Sequence, residues 1–171
     1  MFLCRKEKEH LRLNSGLNKV EGPVVDYKTW LKIQDVSSKD RSTRLKGIKT
    51  NRQHEFLSDL ERNYFYLTEY SNYIVDIQEQ FPLLPLEETI VIANELGINH
   101  PNNPKTGSPI VMTTDFLLTV NKGQNVTEVA RTIKMKDELL KDRVLEKFEI
   151  EREYWQRKKY RLDCCYRGRD I

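Results

Sequence analysis

Two alternating apolar runs, TTDFLLTV at 113–120 and VARTIKMK at 129–136, are joined through the turn-forming cluster NKGQ. Strand side chains alternate with period two and tight turns collect Gly, Asn and charged residues, so this stretch reads as a β-hairpin around which the fold must be built. The same alternation assigns faces. Met112, Thr114, Phe116 and Leu118 share one side, and Asp115 points the other way with Thr113 and Leu117. On the second strand Ala130, Thr132 and Lys134 share a face opposed by Val129 and Ile133. Adjacent strands can thus present Asp115, Thr132 and Lys134 together, although a plain hairpin needs neither the carboxylate nor the ammonium.

The flanking sequence supplies helices. Ser58 opens SDLE, an S-x-x-E capping box, and Leu57, Leu60, Tyr64 and Leu67 follow at helical spacing to an end near Ser71. YIVDIQEQF reads as a strand with Val75, Ile77 and Phe81 on one face, stopped by PLLP. LEETIVIANEL forms a second helix closed by Gly97, and HPNNPKTGSP is a loop. A long helix runs from about Asp137 to Lys159, and RLDCCY is a last buried strand. The order helix, strand, helix, strand, strand, helix, strand describes an α/β domain with one mixed sheet covered by helices. Residues 41–171 make that domain. Residues 1–40 form an arm whose VVDYKTWLKI cluster, with Tyr27, Trp30 and Leu31, predicts a short docking helix.

At 171 residues the chain has room for one domain and little more. A net charge of +3 is too slight to identify a nucleic-acid partner, so local clustering has to carry that argument. RSTRLKGIKTNR, 41–52, holds Arg41, Arg44, Lys46, Lys49 and Arg52 without an acid. It is either a solvated loop or a segment that tracks phosphates, with Arg44, Lys46, Lys49 and Arg52 as DNA contacts. Cys4, Cys164 and Cys165 fit neither a disulfide framework nor a zinc site. No apolar stretch follows MFLC for export or reaches membrane-spanning length, so a reducing cytoplasm is the expected setting.

Hydrolysis of a phosphodiester needs hard oxygen ligands for a magnesium ion, a water aimed at phosphorus, and positive charge against the phosphoryl oxygens. Asp115, Lys134 and one further carboxylate can supply these, and an ordinary exposed hairpin face can also carry Asp115 and Lys134. Glu61 is a candidate carboxylate that already has a capping role. Glu151 falls inside the stripe Leu140, Val144, Phe148 and Trp155 on the long helix, where a carboxylate is costly unless paired or metal-bound. Glu79 raises the same question on the apolar side of its strand.

FLSDLERNYFYLTEYSNYIVDIQEQFPLLP, TTDFLL, IK and VLEKFEIEREYW, in that order, resemble the catalytic domain of the TnsA family, the restriction-endonuclease-like subunit of heteromeric bacterial transposases. The likeness runs from about Arg41 to the C-terminus. It implies a PD-(D/E)xK mixed sheet flanked by helices and a magnesium-dependent DNA endonuclease, with manganese able to substitute, that cuts the 5′ ends of a transposon. It also implies as partners the double-stranded transposon ends, a DDE-type transposase subunit that handles the 3′ ends, and an ATPase regulator, in the bacterial cytoplasm at the nucleoid. The family's catalytic glutamate falls on Glu61, its aspartate on Asp115 and its lysine on Lys134. Thr132 stands where the pattern has Glu, Asp or Gln, so the third catalytic metal ligand would be a hydroxyl, weaker and neutral, which argues against a full second metal site. The backbone of Ile133, or a water on the auxiliary acid Glu151, is then a candidate substitute. The family's winged-helix-like C-terminal domain does not follow, so the chain reads as a short member or an excised domain. The same fold also serves repair and junction-resolving nucleases, and a non-catalytic DNA-binding assembly subunit is the remaining alternative.

Overall fold

A computed structural model of the protein describes residues 27–35 and 41–167. The strands are β1 (Thr43–Lys46), β2 (Gln53–Phe56), β3 (Ile74–Pro82), β4 (Thr113–Asn121), β5 (Val126–Met135) and β6 (Arg161–Arg167). The helices are α1 (Asp59–Tyr70), α2 (Leu86–Glu95) and α3 (Asp142–Arg157). β1 and β2 form a separate hairpin, and the main sheet has the order β3-β4-β5-β6. Its first three strands are antiparallel, and β6 runs parallel to β5. A parallel neighbour requires a crossover, which α3 provides. The α/β mixed sheet flanked by helices is therefore present.

The sheet is buried on both faces. Leu117 and Ala130 pack with Ile150, Tyr154 and Trp155 of α3 and with Ile92 and Ala93 of α2. On the other face Ile77, Phe116, Leu118 and Ile133 pack with Phe56 and with Phe65 of α1. Ile77 and Phe81, expected on one face, lie in opposite clusters. Between them Gln80 takes φ +49, outside the extended region, and the alternation fails there. The partner strand switches at the same level. Thr114 should share the face of Phe116, yet its hydroxyl accepts from Trp155 Nε1 of α3 at 2.7 Å.

Three further expectations are corrected. The basic segment 41–52 is not a loop throughout: it forms β1 and the turn that leads into β2. The long helix breaks at Lys141, a 3-10 turn over Lys136–Leu140 precedes α3, and Leu140 is 80% exposed, outside the core-facing stripe. No docking helix forms over the described part of VVDYKTWLKI, where the regular element is a 3-10 turn at Ile33–Asp35. Tyr27 and Trp30 are nevertheless buried, and the Tyr27 hydroxyl donates to the backbone oxygen of Glu79 at 2.7 Å. Residues 24–26 of that cluster lie outside the described residues. No helix among the described residues is long and apolar enough to cross a membrane.

Candidate active site

The main sheet splits where the chemistry is. β4 and β5 pair from Asn121↔Val126 up to Phe116↔Arg131 and no further. β4 continues along β3 to Pro82↔Thr113, while β5 continues along β6 to Met135↔Arg167. Asp115, Thr132 and Lys134 lie immediately beyond the last β4–β5 pair. The backbone amide of Ile133, left without a ladder partner on β4, donates instead to Asp115 Oδ2 at 2.7 Å. Lys134 Nζ donates to the same oxygen at 2.9 Å, so Oδ1 takes no part in either bond.

Acids reach this split from both faces. Glu61 sits in the first turn of α1, where the capping box forms as its sequence predicts: Glu61 N donates to Ser58 Oγ at 3.2 Å and the Ser58 hydroxyl donates to Glu61 Oε1 at 3.0 Å. Leu57 N and Gln80 Nε2 donate to its other oxygen at 3.0 and 3.3 Å. Glu151 arrives from α3 on the opposite face, 6% exposed, and accepts the Thr132 hydroxyl at 2.5 Å. The Thr132 side chain is thus engaged in holding Glu151. Thr114 also bonds to Glu151.

These groups also act on one another electrostatically. Burial, and then the Asp115 charge, push Glu61 from an ordinary 4.5 up to about 7, although the Leu57 amide and the Ser58 hydroxyl oppose the rise. Burial and Asp115 raise Glu151 to about 7 as well, against the Thr132 hydrogen bond and Lys134. Burial works against the Lys134 charge, but Asp115 outweighs it and holds the ammonium pKa above its usual value. Asp115 pairs directly with the ammonium, and Glu61 and Glu151 lie near enough for the Asp115 charge to raise both, which gathers hard oxygen donors at the split. Among the described residues no three His, Cys, Asp or Glu side chains form a ready ligand cluster. A divalent cation can also be held by one or two carboxylates together with waters. Glu61 and Asp115 are the residues that could hold it.

The other singled-out residues separate. Glu79 lies outside this cluster, its carboxylate bound to buried His54 Nδ1 at 2.7 Å. In the basic segment, Lys49 Nζ donates to the carbonyls of Thr68, Ser71 and Ile74, and Arg52 donates to Asp76 Oδ1 at 2.9 Å and to the carbonyl of Ile77. Both are committed to the fold rather than turned outward for phosphate. Arg44 and Lys46 remain exposed, Arg44 in a half-exposed pair with Glu55. The sequence did not point to Gln80, which bonds to Glu61, or to Thr113, which bonds to Gln80. No sequence signal separates Gln80 from Asp76, Gln78 and Glu79 in the same strand.

Residues 71–165 match the family described as TnsA-like endonuclease N terminal. The chain is also 44% identical over 138 residues to the transposon Tn7 transposition protein TnsA of Escherichia coli, an alignment covering 81% of this chain and 49% of that protein. It therefore spans about half the length of the curated relative it matches. On the family match over more than half of its residues, together with a mixed sheet flanked by helices, the chain belongs to the TnsA-like endonuclease family.

Proposed function

We propose that this chain is a magnesium-dependent DNA endonuclease that cuts at the 5′ ends of a transposon as one subunit of a heteromeric transposase. The observation that carries the reading is the split between β4 and β5, filled by the Asp115–Lys134 pair, with Glu61 near enough for the Asp115 charge to be felt. The relative named as a transposition protein supports the biological setting.

Glu61 and Asp115 would hold the metal. When bound, the ion supplies Lewis-acid polarisation of the phosphoryl oxygen and a water acidified towards neutral pH. Lys134 stays charged beside Asp115 and sets positive potential where negative charge develops on the phosphorus oxygens. Glu151, at about 7, can hold or release a proton near neutral pH, tethered by Thr132. Because that hydroxyl is engaged, Thr132 favours a single well-held metal over two. Arg44 and Lys46 on β1 would meet backbone phosphates, while partner subunits place the end DNA over the split.

The test is cleavage of a transposon-end duplex by the parent chain and by Glu61→Ala and Asp115→Ala, each with and without the partner transposase subunit, in magnesium and in chelator. Metal-dependent cutting that both substitutions abolish supports the reading. Full cutting by either variant, or equal cutting in chelator, refutes it. Rapid sequence-specific cutting without the partner would favour a stand-alone nuclease of the same fold.

A further inference from the structure

Gln80 is 3% exposed and stands across from Asp115 in the β3–β4 register, between the pairs Glu79↔Phe116 and Phe81↔Thr114. Its φ of +49 belongs to a region that side-chain-bearing residues occupy only where their surroundings impose it, and such outliers gather at functional sites. The side chain is held at both ends. Nε2 donates to Glu61 Oε2 at 3.3 Å, and Oε1 accepts from Thr113 Oγ1 at 3.1 Å. An ionised carboxylate only accepts, so the amide nitrogen must face Glu61 and the amide oxygen is left for the Thr113 hydroxyl.

Two other groups hold the Glu61 carboxylate, Leu57 N and Ser58 Oγ, and both belong to the lead-in of its own helix. They fix the carboxylate relative to α1. Among the described residues, the Gln80 bond is what ties it to the strand that pairs with β4. Thr113, two residues before Asp115, closes the link from the β4 side. We infer that Gln80 is a positioning residue for the metal site: its left-handed backbone turns the amide towards Glu61, and the chain Thr113–Gln80–Glu61 sets that carboxylate relative to Asp115 so that both can serve one divalent cation. The inference rests on the reading of Glu61 and Asp115 as metal ligands. Groups that orient metal ligands from behind typically change affinity about 10–100-fold when removed.

The experiment is a Mn2+ titration of the full chain, with free Mn2+ followed by electron paramagnetic resonance, alongside thermal melting of each variant. Gln80→Gly removes the amide and relieves the left-handed backbone, Gln80→Leu removes the amide but keeps bulk, and Thr113→Val is nearly isosteric. Both Gln80 variants should bind Mn2+ about tenfold more weakly than the parent. Thr113→Val should show a smaller loss. In the complex with the partner subunit, excess Mn2+ should restore cleavage by the Gln80 variants, a rescue that a purely structural role would not produce. Parent-like Mn2+ affinity in Gln80→Gly and Gln80→Leu, with Glu61→Ala weakened, overturns the role of Gln80 alone. No Mn2+ binding by the parent, or undiminished binding by Glu61→Ala, removes the metal-ligand reading and this inference with it. If both Gln80 variants fail to melt cooperatively, Thr113→Val decides: weaker Mn2+ binding supports the inference and parent-like binding overturns it.

Discussion

Two groups of buried charge lie within one domain and are built differently. Under the β1–β2 hairpin, Arg52 meets Asp76 at 2.9 Å, His54 Nδ1 meets Glu79 at 2.7 Å, and His54 Nε2 meets the Thr50 hydroxyl at 2.7 Å. Each acid there has a cation or a ring N–H of its own. A Cβ added to Gly47 would collide with Thr50 Oγ1 and His54 Nε2, so the turn closes on this clasp without slack. At the split in the main sheet, Lys134 pairs with Asp115, while the nearby Glu61 and Glu151, which have no ion pair among the described residues, rise to about 7. The clasp is balanced and the split is not. Balanced buried charge fixes a fold, whereas surplus buried acid is tolerated where a cation is to be taken up.

If the comparison is right, substitutions at the two places fail in opposite ways. The largest effect is expected at the split. Asp115→Ala and Lys134→Ala should each lower metal-dependent cleavage by roughly three orders of magnitude or more, because the metal ligand and the facing charge act in the chemical step. DNA binding should stay close to the parent in a binding titration, and cleavage is compared per folded molecule, because each change also removes one member of a part-buried pair. Thr132→Ala should be milder, since its hydroxyl acts through Glu151. A Thr132→Ala loss equal to that of Asp115→Ala would mean that Thr132 serves the metal directly.

At the clasp the order reverses. Arg52→Ala leaves Asp76, 0% exposed, without its charged partner, and removing one member of a buried pair costs about 3–5 kcal/mol. For a chain of this size that corresponds to a drop in melting temperature on the order of 10 °C. Cleavage per folded molecule should not change. A parent-like melting temperature for Arg52→Ala would abolish the distinction between the two regions.

Why was one region legible in the sequence and the other not? The split lies on two strands whose period-two pattern places Asp115, Thr132 and Lys134 on one side, a local property of consecutive residues. The Ser58–Glu61 capping box is equally local. The clasp joins residues 24 or 25 positions apart, Arg52 to Asp76 and His54 to Glu79, and nothing in RSTRLKGIKTNR distinguishes a cation that will find such a partner from one left in solvent. The hairpin itself was hidden because β1 and β2 have four residues each and carry their charges within the strands. The failed alternation at Gln80 escaped for a related reason. A left-handed glutamine is imposed by tertiary contacts, and no local signal announces it.

A smaller, pH-dependent effect separates the regions further. Glu151 is faced by Asp115, Lys134, Thr132 and Thr114, and its folded pKa of about 7 lies above the ordinary 4.5. Between those values the folded state holds a proton that the unfolded state has lost, so this group's contribution to stability falls as pH rises from 4.5 to 7. Glu61 follows the same sign. Glu151→Gln should therefore melt above the metal-free parent at pH 8, by the equivalent of 1–3 kcal/mol on the order of magnitude of such shifts, and converge with it towards pH 5. Added magnesium should narrow the gap at pH 8 and do little at pH 5, because the cation competes with protons for the cluster. An equal offset at both pH values would show that Glu151 acts by packing alone.

The smallest effect concerns the hairpin's own cations, and it divides one basic segment between the two behaviours. Lys49 caps the C-terminal end of α1 through the carbonyls of Thr68 and Ser71, and its backbone N–H donates to Glu69 Oε1 at 2.6 Å. A cation there complements the helix dipole and adds a charged donor to carbonyls that also accept from Ser71 N and Ile74 N. Lys46, exposed on β1, has no such task among the described residues, and Arg44 is half exposed beside Glu55. Lys46→Ala and Arg44→Ala should therefore weaken binding to every duplex alike and reduce the slope of log affinity against log salt by about one each. They should scarcely move the melting temperature. Lys49→Ala should do the reverse, lowering stability by roughly 1 kcal/mol while the salt slope stays at the parent value. The measurement is a DNA-binding titration at several salt concentrations with all three variants. A changed slope for Lys49→Ala alone would transfer the phosphate contact to the residue that the structure builds into the helix end.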